Sequence, residues 1–183
     1  MPIAFITDAQ KECYKRVARL MIELFGDAVE ASVDAPEFTV GLGSALVDVS
    51  VTPWRDDAIV RSRALVVSRP RADNELYAFL LQESATFDFG GFGLTGEGDV
   101  IFQDALLGSG CDRRELHVSV HTVLHIADQY DDRIQQRWGG QRASDRSKHV
   151  RVVTPHYTGR DTADAGDETV RFDKDDADPR RRG

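Results

Sequence analysis

Gly91-Phe92-Gly93-Leu94-Thr95-Gly96 spells G-x-G-x-x-G, a spacing that in dinucleotide-binding proteins brings a pyrophosphate onto the N–H groups of a helix N-terminus. That chemistry requires a strand before the glycines and a helix after them. Here they lead into Asp99-Val100-Ile101-Phe102-Gln103 and then Leu106-Leu107, a run rich in β-branched and aromatic residues and without helical spacing. The kinase form of the motif does lie between strands, but it needs a valine where this chain has Gly98, and a downstream Val-Ala-Ile-Lys strand that the sequence lacks. A hairpin accounts for every glycine. Phe87 and Phe89 point to one face of a strand, a one-residue bulge at Gly90-Gly91 returns Phe92 and Leu94 to that face, and Gly96 and Gly98 form the turn.

His117, His121 and His125 recur every four residues and are followed by Asp128 and Asp132. On a helix, two histidines so spaced can hold a transition metal, and Asp128 adds an oxygen ligand three residues after His125. The same spacing fits a solvated face with local His–Asp pairing. No second ligand cluster stands elsewhere, so the expectation is no metal and no cofactor, with His117, His121, His125 and Asp128 as the alternative set. Signatures of nucleophilic catalysis are incomplete. Ser109 in Leu107-Gly108-Ser109-Gly110-Cys111 lacks the first glycine of G-x-S-x-G, and Cys111 and His117 turn to different faces of a helix. There is no H-E-x-x-H, no phosphate-loop lysine motif and no paired-cysteine zinc pattern. No catalytic residue is assigned, and a protein that is not an enzyme is expected.

Arg61 and Arg63 alternate with Val60, Ser62 and Ala64 and so project from the opposite face of their strand. They either keep an exposed sheet face soluble or contact an acidic peptide or a dimer mate. Phe89, Phe92 and Leu94, on one face of the hairpin, either fill the core or line a groove. Arg61, Arg63, Phe89, Phe92 and Leu94 are the candidate peptide-binding residues.

The elements that must position these residues follow from periodicity. Thr7-Asp8-Ala9-Gln10 has the form of a capping box, and Tyr14, Val17, Ala18, Met21, Leu24 and Phe25 recur at helical spacing until Gly26. Three β-type runs follow, Phe38 to Leu42, Leu46 to Val51 and Ile59 to Val67, with a short link at Gly43-Ser44 and another over 52–57. Asp73 caps a second helix carrying Leu76, Tyr77, Phe79, Leu80 and Glu83, and the glycine hairpin comes next. A third helix starts at Asp112 and runs to Trp138. Its Leu116, Val120, Val123, Leu124, Ala127, Tyr130, Ile134 and Trp138 form one stripe, with the histidines roughly opposite. The order α-β-β-β-α-β-β-α describes an α+β fold, an antiparallel sheet packed against helices.

The chain of 183 residues is 41% hydrophobic and 30% charged, enough for one well-filled core. Residues 1–140 are expected to form that domain. Residues 141–183, rich in Arg, Asp, Ser and Thr, are expected to be a mostly disordered tail, with Val150 to Val153 as one short added strand at most. A net charge of -8 and a pI near 5.1 argue against nucleic-acid and anionic-membrane partners. Two distant cysteines, Cys13 and Cys111, and the lack of a basic-then-apolar leader favour the cytoplasm, and no apolar run is long enough to span a bilayer.

With that element order, FGGFGLTGEGDVIFQDALLGSG and the helix end ADQYDDRIQQRWGG resemble the YbjN family, which shares its fold with type III secretion chaperones of the CesT class. The resemblance covers roughly Asp8 to Gly140. It implies a small acidic bacterial protein of the cytoplasm, commonly a homodimer, that holds an extended segment of a client protein along its surface. The alternative function is a metal-dependent regulator or enzyme using the histidine face, and a structural oligomer without a client is a third.

A hairpin without helix N-terminal amides has nothing with which to cradle phosphate. Calorimetric titration with ATP, GTP and NAD is therefore expected to give no saturable heat, and micromolar binding abolished by Gly93→Ala would reverse the assignment.

Overall fold

The structure, a computed structural model, describes residues 3–42 and 45–143. The Gly43-Ser44 link, the Val150–Val153 run and the tail after residue 143 lie outside the described residues. Each helix begins where a side chain can accept an otherwise orphaned N–H. Helix α1 (Asp8–Phe25) starts on Thr7, which accepts from Gln10 N–H at 3.1 Å. Helix α2 (Asn74–Ser84) starts on Asp73, which accepts from Leu76 N–H at 2.9 Å. Helix α3 (Arg113–Trp138) starts on Asp112, which accepts from Glu115 N–H at 2.8 Å. Gln10 also works in both directions, accepting from Ile6 N–H and donating to the Val51 carbonyl, which ties the start of α1 to the sheet.

Among the described residues seven strands form one antiparallel sheet: β1 (Val29–Ala31), β2 (Glu37–Leu42), β3 (Ala45–Trp54), β4 (Asp57–Ser68), β5 (Gly91–Leu94), β6 (Val100–Leu107) and β7 (Gln141–Arg142). Their spatial order is β1-β2-β3-β4-β6-β5, and β7 pairs with the end of β4. Alternation along the strands sends Phe38, Val40, Val47, Val49, Val51, Val60, Ala64 and Phe102 to one face, where all are buried. Helix α3 lies across β3, β4 and β6 on that face, α1 lies across β3 and β4, and α2 packs against β5. Every residue of the stripe read on the third helix is buried. Ser62, inward on β4, meets Ser119 of α3 at 3.0 Å, so two buried hydroxyls satisfy each other under the centre of the helix.

The architecture is the expected α+β one with a strand added at each end. β1 is too short for alternation to reveal it in the sequence, and it pairs with β2 through Val29↔Val40 and Ala31↔Phe38. β7 extends sheet pairing two residues beyond Gly140. The glycine segment departs from the expected bulge, because β5 begins at Gly91 and pairs with β6 in regular register. Gly90, at φ 71, makes a turn before the strand instead. Phe89 consequently falls outside the strand and is 59% exposed, whereas Phe87 turns inward.

Gly140 carries the chain from α3 into β7 at φ 93, and a Cβ there would lie 2.6 Å from the Ser68 carbonyl oxygen and 2.6 Å from Val67 Cγ1. Left-handed strain and the backbone clash together make Gly140→Ala cost at least about 2 kcal/mol, a fall in Tm of roughly 5 °C. Gly96→Ala, where an added Cβ meets nothing within 4 Å, is expected to leave thermal unfolding unchanged.

Candidate functional site

The helix-free face of the sheet carries polar rows that run straight across the strands. Thr39, Asp48, Arg63 and Gln103 are consecutive partners on β2, β3, β4 and β6. Within that row Thr39 Oγ1 donates to Asp48 at 2.8 Å, and the Arg63 guanidinium donates to Gln103 Oε1 at 3.1 and 3.3 Å. The adjacent row holds Glu37, Ser50, Arg61 and Ala105. Arg61 is half-buried there. It lines an open notch of about 290 Å³ together with Gly90, Gly91, Phe92, Gln103, Asp104 and Ala105. The notch exists because the four residues of β5 cover only part of the eight-residue β6. Gly90 must stay small at its mouth, since a Cβ would lie 2.6 Å from the Gln103 carbonyl oxygen.

On the helix side of the notch, Phe92 joins Phe87, Phe102 and Tyr130 in edge-to-face contacts with centroids 5.0–5.8 Å apart. Tyr130 donates to Glu83 of α2, and burial with that carboxylate pushes its hydroxyl up to about 12. Ser84 Oγ accepts from Phe92 N–H at 2.9 Å. These bonds fix the end of α2 against the start of β5. Leu94, at the far end of β5, is 43% exposed, and Tyr77 and Leu81 expose further apolar surface one turn apart on α2. Of the five residues singled out in the sequence, the structure brings Arg61 and Phe92 to one notch and sets Arg63 beside it. Phe89 and Leu94 stand apart as exposed apolar side chains. Gly90, Gln103 and Ala105 were missed because only the β4–β6 register brings them beside Arg61. The unequal lengths of the two strand-like runs around Gly96 were the available signal.

The histidine face packs against α1. His117 and His121 lie tilted against each other with centroids 4.2 Å apart, and both pack against the ring of Phe25 from α1. The set His117, His121, His125 and Asp128 does not assemble: among the described residues no three His, Cys, Asp or Glu side chains converge as a metal-binding group. Desolvation against Phe25 and α1 lowers His117, and the Arg113 charge adds to it. His121 is lowered by desolvation and then by His117. The thiols are buried, and burial first, then the neighbouring Cys13, pushes Cys111 up to about 12, far from a reactive thiolate. Ser109 donates to Asp57 at 2.6 Å and thereby ties the loop after β6 to the start of β4.

A sheet covered by helices on one face, with a half-paired strand, leaves main-chain groups at that edge open to pairing with extended chain. The sequence pattern of TY-Chap1, the T3SS (YopN, CesT) and YbjN peptide-binding chaperone 1 family, matches residues 11–146. The chain belongs to this family of peptide-binding chaperones, as the glycine segment and the end of α3 suggested. Among solved structures it is similar to the Yersinia pestis type III secretion chaperone SycH in complex with a stable fragment of YscM2, at 11% identity over 64% of this chain and 98% of that chain, with a TM-score of 0.49. No curated protein matches the chain. No helix among the described residues is long and apolar enough to cross a membrane.

The histidine pair gives the fold a pH dependence whose sign is set. Both folded-state values lie below the ordinary 6.5, so the unfolded chain binds more protons as the solution is acidified. Stability is full above pH of about 6.5 and is lost as pH falls from there through the lowered folded values. Thermal melts between pH 7.5 and 5 should show Tm falling on acidification, and the double variant His117→Gln, His121→Gln should fall less over the same interval.

Proposed function

We propose that the protein is a non-enzymatic chaperone that holds an extended segment of a client protein, and that it works in the cytoplasm as a homodimer without cofactor, nucleic acid or membrane partner. The observation that carries this reading is an open, half-paired sheet strand in a member of a peptide-binding chaperone family. Main-chain groups at such an edge bind any extended segment, and neighbouring side chains set which one is preferred. Arg61, Arg63 and Phe92 border that edge, and Phe89 and Leu94 offer exposed apolar surface away from it. The net charge of -8 opposes polyanionic partners, and the high thiol of Cys111 supports a role without covalent chemistry.

The exposed Tyr77 and Leu81, one turn apart on α2, support a two-fold contact in which each copy presents the same apolar surface. In this reading residues 1–140 form the working unit, and residues 141–183 are a charged appendage.

Sedimentation velocity at micromolar concentration is expected to give a dimer, and Leu81→Arg should shift it to monomer without lowering the melting temperature. Stoichiometric protein should suppress aggregation of a destabilised client. A strictly monomeric wild type would remove the dimer, and unchanged client aggregation would remove the chaperone activity.

A further inference from the structure

We infer that the unpaired half of β6, Asp104–Leu107, is where the client strand adds to the sheet, and that Arg61 selects a segment carrying one acidic side chain opposite Ala105. The inference rests on the peptide-holding reading above and gives it a location and a preference.

Asp104–Leu107 pairs with Ile59–Ser62 of β4 on one side, while β5 pairs only with Val100–Gln103 on the other. Among the described residues no strand lies against this half of β6 on the β5 side. Alternate N–H and C=O groups of an edge strand point outward and pair readily with an extended chain. Immediately beside this edge lies the notch lined by Arg61, Gly90, Gly91, Asp104 and Ala105. Arg61 is directly across from Ala105 in the β4–β6 register. The alanine methyl is too short to screen the guanidinium from a side chain on an added strand.

Charge decides the occupant. Arg63, two residues along, donates to Gln103 and sits opposite Asp48. Arg61, half-buried, has no carboxylate within ion-pair distance among the described residues, and Asp104 alternates to the helix-covered face with Ser62. A partly desolvated cation without an anion gains from a carboxylate brought to it. An added strand alternates in the same way. Its side chain across from Ala105 meets Arg61, and the two flanking side chains turn to the face of Asp104 and Leu106, where an apolar group fits across from Leu106 and an uncharged one across from Asp104. The net charge of -8 and Asp104 beside the notch disfavour an acidic run, so the fitting segment has a single carboxylate between uncharged neighbours.

The test uses the full chain and a fluorescein-labelled peptide of sequence KTVEVTK, read by anisotropy against KTVQVTK and against KTVEVTK with alternate amides N-methylated. The expected result is about fivefold tighter binding of the glutamate peptide than the glutamine peptide. N-methylation on the edge facing β6 should abolish binding. Arg61→Gln should remove the glutamate preference, and Ala105→Glu, which supplies Arg61 with an internal partner, should remove it too while keeping the wild-type melting temperature. Binding that ignores both variants overturns the location and leaves peptide holding intact. Loss of dimer sedimentation in either variant assigns the edge to a second copy and also overturns it. If no extended peptide binds at all, the peptide-holding reading falls with it.

Discussion

The packing of α3 across the centre of the sheet is the contact on which every other element depends. Leu116, Val120, Val123 and Ile134 are fully buried against β3, β4 and β6, and each contributes about 1.5–3 kcal/mol by leaving water. The other two helices then use α3 as a wall. α1 reaches it through Phe25 over His117 and His121 and through Glu23 with Arg113. α2 reaches it through Glu83 with Tyr130 and through Phe79 against Trp138. Trp138 Nε1 also donates to Asp73, the residue that starts α2, so the end of one helix holds the beginning of another. The ion pairs at these contacts are solvent-accessible and add little. The buried stripe supplies the energy and the polar ends supply the register.

Because Phe38, Val40, Val47, Val49, Val51, Val60 and Phe102 turn to the helices, a slip of one residue in any of their strands would put apolar side chains in water and charges under α3. The Ser62–Ser119 pair sharpens this constraint, since a misplaced register would bury one hydroxyl without the other. Specificity of register has a consequence for the opposite face. It is obliged to be the polar one, and there Thr39, Asp48, Arg63 and Gln103 line up as a consequence of pairing rather than of sequence proximity.

The same distinction explains what the sequence made legible. The stripe of α3 was readable because it repeats over 26 residues, and the starts of α1, α2 and α3 were readable because Thr7, Asp73 and Asp112 each act on residues three positions away. The hairpin reading of the glycine motif follows from its flanking strands. The details inside it were not readable. Whether Gly90 forms a bulge or a preceding turn depends on the Gln103 carbonyl that crowds it, and Phe89 is exposed as a result. β1 and β7 owe their existence to partners in β2 and β4 and have little pattern of their own. The notch beside Arg61 is a product of unequal strand lengths, and the histidine spacing, though correctly helical, served contact with Phe25.

The open half of β6 is held straight at both ends. β5 pairs with its beginning. Beyond its end, Gly108 N–H donates to the Ala58 carbonyl at 2.7 Å, and the Gly108 carbonyl accepts from Arg16 of α1. Asp57 accepts from Ser109, closing the loop against the start of β4. An edge clamped in this way is already in the geometry that an added strand requires, so the ordering cost of pairing falls on the incoming chain alone. The brevity of the open stretch and the charge of Asp104 at its start work against indiscriminate edge-to-edge association. An edge that is short and charged at one end does not invite a growing stack of its own copies.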